Sequence, residues 1–207
     1  MVQSDKGERG NGGLIADVKL NLGCGSNKIA GYVNVDKYGD PDVYHDLERF
    51  PWPWPDGQFD EVQANHVLEH LGQSPDSFIG VMKELYRVCR HGARIVIAVP
   101  HPRHDHFLGD PTHVRPVTPL VMALFSRRLN LEWQKQGAAN SPLALYHGVD
   151  FETRKISYVL EEPYAGDVSA GRCTMEEVDR LLLERNNVAS EIRIELEAIK
   201  GPGSDRA

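Results

Sequence analysis

Residues 18–36, which read VKLNLGCGSNKIAGYVNVD, constrain the fold of this chain more than any other segment. A short apolar run leads into a turn that contains Gly23 and Gly25, and a second short run ends at Asp36. Glycines in such a turn let backbone N–H groups approach a ligand closely, because no side chain is in the way. An acid at the tip of the next strand is placed to accept hydrogen bonds from a ribose diol. The pattern predicts a nucleoside-bearing cofactor across the carboxyl ends of a parallel sheet.

The spacing of this segment disfavours a dinucleotide as the cofactor. A dinucleotide fingerprint has a third glycine three residues after the second, and its acid follows about 20 residues further on. Here Lys28 stands at the third glycine position, and Asp36 follows Gly25 after eleven positions. A cofactor without phosphates does not require the missing glycine.

Further motifs follow this segment in a fixed order. The chain reads LNLGCG at 20–25, HDL at 45–47, PWPDGQFDEV at 53–62, HVLEHL at 66–71 and ELYRVCRHGARIVIAVP at 84–100. Over roughly residues 17–100 this series resembles the class I S-adenosylmethionine-dependent methyltransferases, and most closely their small type-11 group. The resemblance implies an α/β fold, a Rossmann-like three-layer sandwich with a seven-stranded, mostly parallel sheet and one antiparallel strand. It also implies S-adenosylmethionine as cofactor and methyl transfer to an oxygen or nitrogen of a small molecule, such as a sugar or metabolite.

The resemblance assigns cofactor contacts residue by residue. The predicted cofactor-binding residues are Asn21, Leu22, Gly23, Cys24, Gly25, Asp36, Lys37, Asp46, Leu47, Asn65, His66, Glu69 and His70. Asp46 and Leu47 are expected beside the adenine, and the string from His66 to His70 lines the methionine end. Two departures stand out: Asn21 replaces the acid that many members carry, and the link from Gly25 to Tyr32 leaves room for only a turn or two of helix.

A loop rich in histidine follows the fifth predicted strand. In this fold the loop reaches over the methyl donor, so we predict a general base among His104, Asp105 and His106. The predicted substrate contacts are His101, Asp110, His113 and Arg115. Two alternatives stay open for the loop, a bound divalent metal or a loop that hydrogen-bonds to itself. The favoured prediction contains no metal ligand.

The string His66-x-x-Glu69-His70 also fits a zinc-hydrolase signature. That function requires a helix through the motif, so that both histidines share one face, and a third ligand downstream. Residues 59–65, however, read as a strand that leads directly into the motif. A zinc-dependent hydrolase is therefore an alternative function, and a non-catalytic S-adenosylmethionine-binding module is another.

Composition limits the class of protein. The 207 residues predict one domain at 16–200, with a substrate-pocket region at 101–173 and flexible segments at 1–15 and 201–207. A net charge of −7 makes nucleic acid an unfavoured partner, and a small-molecule methyl acceptor is expected instead. The longest apolar run, residues 95–99, is too short to span a membrane, so no membrane partner and a cytoplasmic location are expected. No oligomeric state follows from the sequence.

Periodicity predicts the order of the elements. Strands are expected near 17–22, 31–36, 42–46, 59–64 and 93–99, the last covered on both faces, and again at 151–160 and 191–199. One helix is expected to begin at Ser74-Pro75 and to end before Gly92, and others begin at Thr118 and at the capping box that starts with Thr174.

Overall fold

The computed structural model describes residues 17–201. The segments predicted to be flexible, 1–15 and 201–207, lie outside this range apart from Gly201. The described chain forms a seven-stranded sheet with the order β3-β2-β1-β4-β5-β7-β6. Its strands are β1 Lys19–Leu22, β2 Val33–Asp36, β3 Val43–Tyr44, β4 Phe59–Asn65, β5 Cys89–Pro100, β6 Phe151–Leu160 and β7 Ala189–Ala198.

The strand directions confirm the predicted sheet class. Strands β1 to β5 pair in parallel, whereas β7 runs antiparallel to both of its neighbours, β5 and β6. A single reversed strand therefore lies next to the edge of a mostly parallel sheet, as the resemblance implied.

Three of the helices begin where the sequence predicts, after Ser74, Thr118 and Thr174. The helices of the described residues are α1 Pro75–Val88, α2 Asp105–Leu108, α3 Pro119–Ala123, α4 Arg127–Lys135, α5 Leu143–His147, α6 Tyr164–Ser169 and α7 Met175–Glu184. The hydroxyl of Ser74 accepts the N–H of Ser77 at the start of α1, and Thr174 and Glu177 form the predicted capping box of α7. These contacts satisfy backbone donors that the first turn of a helix leaves free.

The end of α1 differs from the prediction. The helix ends at Val88, and β5 begins at once with Cys89, whereas the sequence predicted a helix that ends just before Gly92 and a strand that begins near residue 93. Cys89 is fully buried and pairs with Phe59 across the sheet, ahead of a register shift in β4. Pairing and burial thus extend the strand past Gly92, whose φ of 77° accommodates the irregularity.

The two faces of the sheet have different character. Ile95, Ile97 and Val99 point into the core, where α1 contributes a stripe of buried side chains: Phe78, Val81, Met82, Leu85 and Val88. On the other face Arg94 is half exposed, and its guanidinium lies 3.3 Å from Glu61 and 3.0 Å from Glu195. The prediction that residues 93–99 are covered on both faces is therefore wrong for the described part of the chain.

The short link between β1 and β2 contributes no helix to this polar face. Residues 23–32 form turns without a helix, so the predicted turn or two of helix is not present. The buried side chain of Asn21 donates hydrogen bonds to the carbonyl of Asn27, at 3.1 Å, and to Oδ1 of Asn34, at 2.9 Å. Asn34 in turn donates to Asp42 at 2.7 Å. Side-chain amides hold this link, and no helix of the link is available to cover the polar face.

Candidate active site

A cavity of about 390 Å³ opens at the carboxyl ends of the parallel strands, the edge at which such sheets bind ligands. Its walls include seven of the predicted cofactor-binding residues, which are Gly23, Asp36, Lys37, Asp46, Leu47, His66 and His70. Five further residues complete the lining: Tyr38, His45, Val67, Leu71 and Thr112. We refer to this space as the first cavity.

The glycine turn borders the first cavity closely. Gly23 has φ of +60°, and a Cβ atom there would lie 2.3 Å from Cγ2 of Val67, so no larger residue fits without a shift. Gly25 has φ of +50°, but a Cβ there would meet no atom within 4 Å. The turn therefore packs tightly against one wall of the first cavity at Gly23 and faces open space at Gly25.

Asp36 is held rigidly at the end of β2. Its Oδ2 accepts the N–H of Gly25 at 2.8 Å, and its Oδ1 accepts the N–H of Tyr38 at 2.8 Å. A carboxylate oxygen has two lone pairs, so each oxygen can accept one further hydrogen bond. The arrangement presents two acceptors side by side, which suits the two hydroxyls of a ribose.

The opposite wall combines an apolar side chain with an acid. Leu47 is 4% exposed, and its carbonyl accepts the indole N–H of the buried Trp52 at 3.0 Å. Asp46 accepts the N–H of Glu48 at 3.1 Å and lies 3.8 Å from Nζ of Lys37. A flat base can pack on such an apolar surface while the neighbouring polar groups contact its edge.

Six of the predicted cofactor contacts do not line the first cavity. Leu22 and Cys24 are buried beneath the turn, and Asn21 uses its amide to hold the β1–β2 link. Gly25 acts through its N–H on Asp36, Asn65 lies towards the polar face, and Glu69 lines a different cavity. Of the residues that sequence reasoning missed, His45 and Val67 lie inside the quoted motifs, whereas Thr112 comes from a distant loop and gives no local signal.

A second cavity of about 500 Å³ adjoins the first. It is lined by His66, Glu69, His70, Pro100, His106, Asp110, His113, Val159, Ser190, Glu191 and Arg193. His66 and His70 line both cavities. A molecule in the second cavity would therefore lie next to a ligand bound in the first.

His66 lies where the two cavities meet. It follows β4 directly with φ of 51°, which is uncommon for a residue with a side chain. Its Nε2 lies 2.8 Å from Glu191, and its Nδ1 lies 3.5 Å from Glu69. These carboxylates, Glu69 first and Glu191 second, raise the pKa of His66, whereas burial lowers it.

The zinc-hydrolase geometry is absent from the string at 66–70. That geometry requires a continuous helix with both histidines on one face, but here β4 ends at Asn65 and only a short 3₁₀ turn, Leu68–His70, follows. Among residues 17–201, the group whose ligand atoms lie close enough for a metal ion combines Glu69 and His70 with His113, and it does not include His66.

Of the three predicted catalytic residues, His106 alone lines the second cavity. His104 is buried, and its Nδ1 accepts the N–H of His106 at 3.0 Å, so it caps α2. Asp105 accepts a hydrogen bond from the side chain of Asn187 at 3.1 Å. His104 and Asp105 therefore shape the loop that presents His106.

Two of the four predicted substrate contacts line the second cavity, and the other two do not. Asp110 and His113 line the second cavity. His101 is buried beside Tyr158 and lines a separate cavity, and burial lowers its pKa. The guanidinium of Arg115 lies over the ring of Phe78 and donates to the carbonyls of residues 71, 72 and 74. His101 and Arg115 thus lie away from both cavities.

The described residues, 17–201, contain no helix that is long and apolar enough to cross a membrane.

Comparisons with known proteins agree with this geometry. Residues 36–97, less than a third of the chain, match the family described as "Methyltransferase domain", in its type-11 form. No curated protein matches the chain by sequence. An S-adenosylmethionine-dependent methyltransferase from Archaeoglobus fulgidus has a similar structure, with a TM-score of 0.55 and 20% identity, over 87% of this chain and 86% of that chain.

A second solved structure adds a ligand-bound example of the fold. The 1,6-didemethyltoxoflavin-N1-methyltransferase from Burkholderia thailandensis was determined with 1,6-didemethyltoxoflavin and S-adenosylhomocysteine bound. It matches with a TM-score of 0.50 and 12% identity, over 88% of this chain and 71% of that chain. At these identities both structures show the likeness of the fold, and the family match adds the motifs from the end of β2 to β5. The described chain therefore has the fold of S-adenosylmethionine-dependent methyltransferases, and its residues 36–97 match the type-11 methyltransferase family.

Proposed function

We propose that this enzyme transfers the methyl group of S-adenosylmethionine to an oxygen or nitrogen of a small polar molecule bound in the second cavity. The observation that carries this proposal is the wall that the two cavities share, formed by His66 and His70. Residues 101–173, within a single domain at 16–200, contribute the loop that closes the second cavity.

The first cavity fits the cofactor. Asp36 accepts the ribose hydroxyls, since both of its oxygens keep a free lone pair. Leu47 and Asp46 contact the adenine, and His66 with His70 border the methionine end. Bound S-adenosylmethionine supplies a methyl group that is already activated by its sulfonium. The remaining task of the protein is to orient the acceptor in line with that methyl group and to exclude water.

The second cavity suits an acceptor that forms hydrogen bonds. Asp110, Glu191 and Arg193 line it with charged groups of both signs. A hydroxyl or amine acceptor loses a proton during transfer, and imidazole is the side chain that most often accepts such a proton. His106 takes this role in our proposal, because it is the predicted catalytic residue that faces the second cavity.

Calorimetry with S-adenosylmethionine and S-adenosylhomocysteine tests the cofactor site. The substitution Asp36→Ala removes the two hydrogen bonds that the carboxylate would accept from the ribose. Their loss should cost about 1.5–3 kcal/mol of binding free energy, so the Kd of S-adenosylmethionine should rise about 10- to 100-fold. The matched control is Asp40→Ala, which removes an equal charge from an exposed position nearby that does not line the cavity. Equal affinities for the two variants would contradict the assigned role of Asp36.

Turnover on a panel of hydroxyl- and amine-bearing acceptors tests the base. We expect His106→Asn to lower kcat about 100-fold or more while the Kd of S-adenosylmethionine is unchanged. His147→Asn serves as the control, because His147 lines neither cavity. If His106→Asn retains full turnover on every accepted molecule, another group accepts the proton.

The same measurements separate the alternative functions. A zinc-dependent hydrolase would bind stoichiometric metal and have no affinity for S-adenosylmethionine. A non-catalytic binding module would bind S-adenosylmethionine without methylating any acceptor. The enzyme that we propose binds the cofactor and converts it to S-adenosylhomocysteine in step with methylation of the acceptor.

A further inference from the structure

A buried carboxylate without a hydrogen-bond partner lies in the second cavity. Glu69 is 0% exposed, and neither of its side-chain oxygens has a hydrogen-bond partner among residues 17–201. The nearest cationic group is Nδ1 of His66, at 3.5 Å, which is beyond normal hydrogen-bond length. Burial of a carboxylate is costly unless the group is paired or coordinates a metal ion. Glu69 therefore indicates a ligand of positive charge.

Two imidazoles complete a ligand set around this carboxylate. One ligand atom from each of Glu69, His70 and His113 lies within 4.8 Å of the others. The rings of His70 and His113 meet edge to face with centroids 4.7 Å apart. These distances allow a single ion to contact all three side chains at once.

The hydrogen bonds of His70 determine which nitrogen is free. The hydroxyl of Thr112 donates its only proton to Oδ1 of Asp110, at 2.6 Å. Nδ1 of His70, 2.9 Å from that hydroxyl oxygen, must therefore be the donor in their contact. In a neutral imidazole this leaves the lone pair on Nε2, the nitrogen that can bind a metal ion.

His113 has the same tautomer for a different reason. Its Nδ1 lies 2.9 Å from the carbonyl oxygen of Phe107, which can only accept a hydrogen bond. Nδ1 therefore carries a proton, and in a neutral imidazole this leaves the lone pair on Nε2. The ring also stacks on Phe107 with centroids 5.3 Å apart. Contacts of this kind fix the tautomer and orientation of histidine ligands in metal sites.

We propose that Glu69, His70 and His113 bind a divalent first-row transition cation, with Zn²⁺ as the best match to two imidazole nitrogens and one carboxylate oxygen. This site differs from the favoured sequence-based prediction in two ways. It contains a metal ion, which the sequence left open only as an alternative for the loop, and it replaces His66 of the zinc-hydrolase string with His113 from the loop. Mg²⁺ is a poor match, since it prefers oxygen ligands.

The position of the cation site suggests a role for the cation in methyl transfer, and this role rests on the proposed function. His70 lines both cavities, so the cation would lie beside the path of the methyl group, with open coordination positions towards the second cavity. A bound cation lowers the pKa of an acceptor hydroxyl, which then releases its proton to His106 and on to solvent. The acceptor oxygen forms a bond to the methyl carbon as the carbon–sulfur bond breaks. The electron pair of that bond stays on sulfur, and S-adenosylhomocysteine leaves.

Calorimetric titration of the chelator-treated protein with Zn²⁺, without S-adenosylmethionine, tests the site directly. We expect one saturable site, and Glu69→Gln or His113→Ala should weaken it about 100-fold or more. His147→Ala is the control and should bind Zn²⁺ as the original protein does. Equal Zn²⁺ affinity in all variants, or the absence of a saturable site in the original protein, would overturn the proposal.

Thermal unfolding gives a second readout that guards against misfolded variants. Zn²⁺ at a concentration that saturates the original protein should raise its unfolding temperature by clearly more than it raises that of Glu69→Gln. An equal rise for the two proteins would contradict the site.

Two outcomes separate this proposal from the proposed function. If Zn²⁺ binds but chelation leaves methyl transfer unaffected, the catalytic use of the cation is wrong and the proposed function stands. If Zn²⁺ binds and S-adenosylmethionine does not bind to the folded protein, the proposed function fails while the cation site stands.

Discussion

Replacing Gly23 by alanine should destabilise the protein by an amount that the structure allows to be divided into two parts. The first part is conformational, because alanine disfavours the left-handed region that φ of +60° occupies, by about 1–2 kcal/mol. The second is steric, because the new Cβ would lie 2.3 Å from Cγ2 of Val67. Overpacking of this kind lowers the free energy of unfolding by about 1–3 kcal/mol. The total is about 2–5 kcal/mol of unfolding free energy.

Gly25→Ala separates the two parts. Gly25 has φ of +50°, and a Cβ there meets no atom within 4 Å, so this variant carries the conformational cost alone. The difference between Gly23→Ala and Gly25→Ala should therefore be about 1–3 kcal/mol, the steric part. The measurement is urea unfolding of both variants and of the original protein, monitored by the circular dichroism signal of the helices.

A double-mutant cycle with Val67→Ala identifies the atoms that clash. Val67→Ala removes the closest contact, Cγ2 at 2.3 Å, but leaves the Cβ of residue 67 at 2.7 Å, so the double variant should recover part of the steric cost of about 1–3 kcal/mol. Val67 also lines the first cavity, so Gly23→Ala should weaken S-adenosylmethionine binding, as calorimetry can measure. Additive effects in the cycle, together with equal losses for Gly23→Ala and Gly25→Ala, would refute the steric argument.

Three further predictions concern the charge network, the core and the ligand. Contacts with Lys28 and Asn34 lower the pKa of Asp42 from 3.8 to about 2. The ionised Asp42 therefore stabilises the folded protein fully above pH 4, and this contribution is lost as the pH falls through 2. In urea unfolding at several pH values, Asp42→Asn should flatten the fall of the unfolding free energy in acid, and an unchanged pH dependence would contradict the network. Leu85→Ala should cost about 2–5 kcal/mol, against less than about 0.5 kcal/mol for the exposed Leu120→Ala, in the same assay. S-adenosylhomocysteine at 100 times its Kd should raise the unfolding free energy by about 2.7 kcal/mol, and a transition unmoved by the ligand would rule out binding to the folded state.

The local geometry around the first cavity could be predicted from the sequence because it depends on neighbouring residues. Gly23 and Asp36 are each fixed by their own strand and turn, and the structure brings them to one cavity. The same holds for the caps at Ser74 and Thr174, where the contacts span three residues. For Asn21 local reasoning failed, since its amide turns under the link to meet Asn34, thirteen positions away.

The lining of the second cavity could not be predicted in this way. Nothing near His113 in the sequence indicates that its ring meets His70 and faces a buried Glu69. The loop from 101 to 115 contains many histidines, and its composition does not say which of them face the cavity. His104 turns inwards to cap α2, whereas His106, two residues later, lines the second cavity.

The sequence by itself determined the sheet, its glycine turn and the resemblance to the methyltransferases, because apolar periodicity, turn residues and short motifs act over a few positions along the chain. The tertiary structure decided which face of the sheet stays polar, which loop histidines reach the cavities, and how Glu69 comes to lie beside two imidazoles. Those features depend on the path of the chain between elements. Contacts such as that of His70 with Thr112, 42 positions apart, exist only after the sheet has brought its strand ends to one edge.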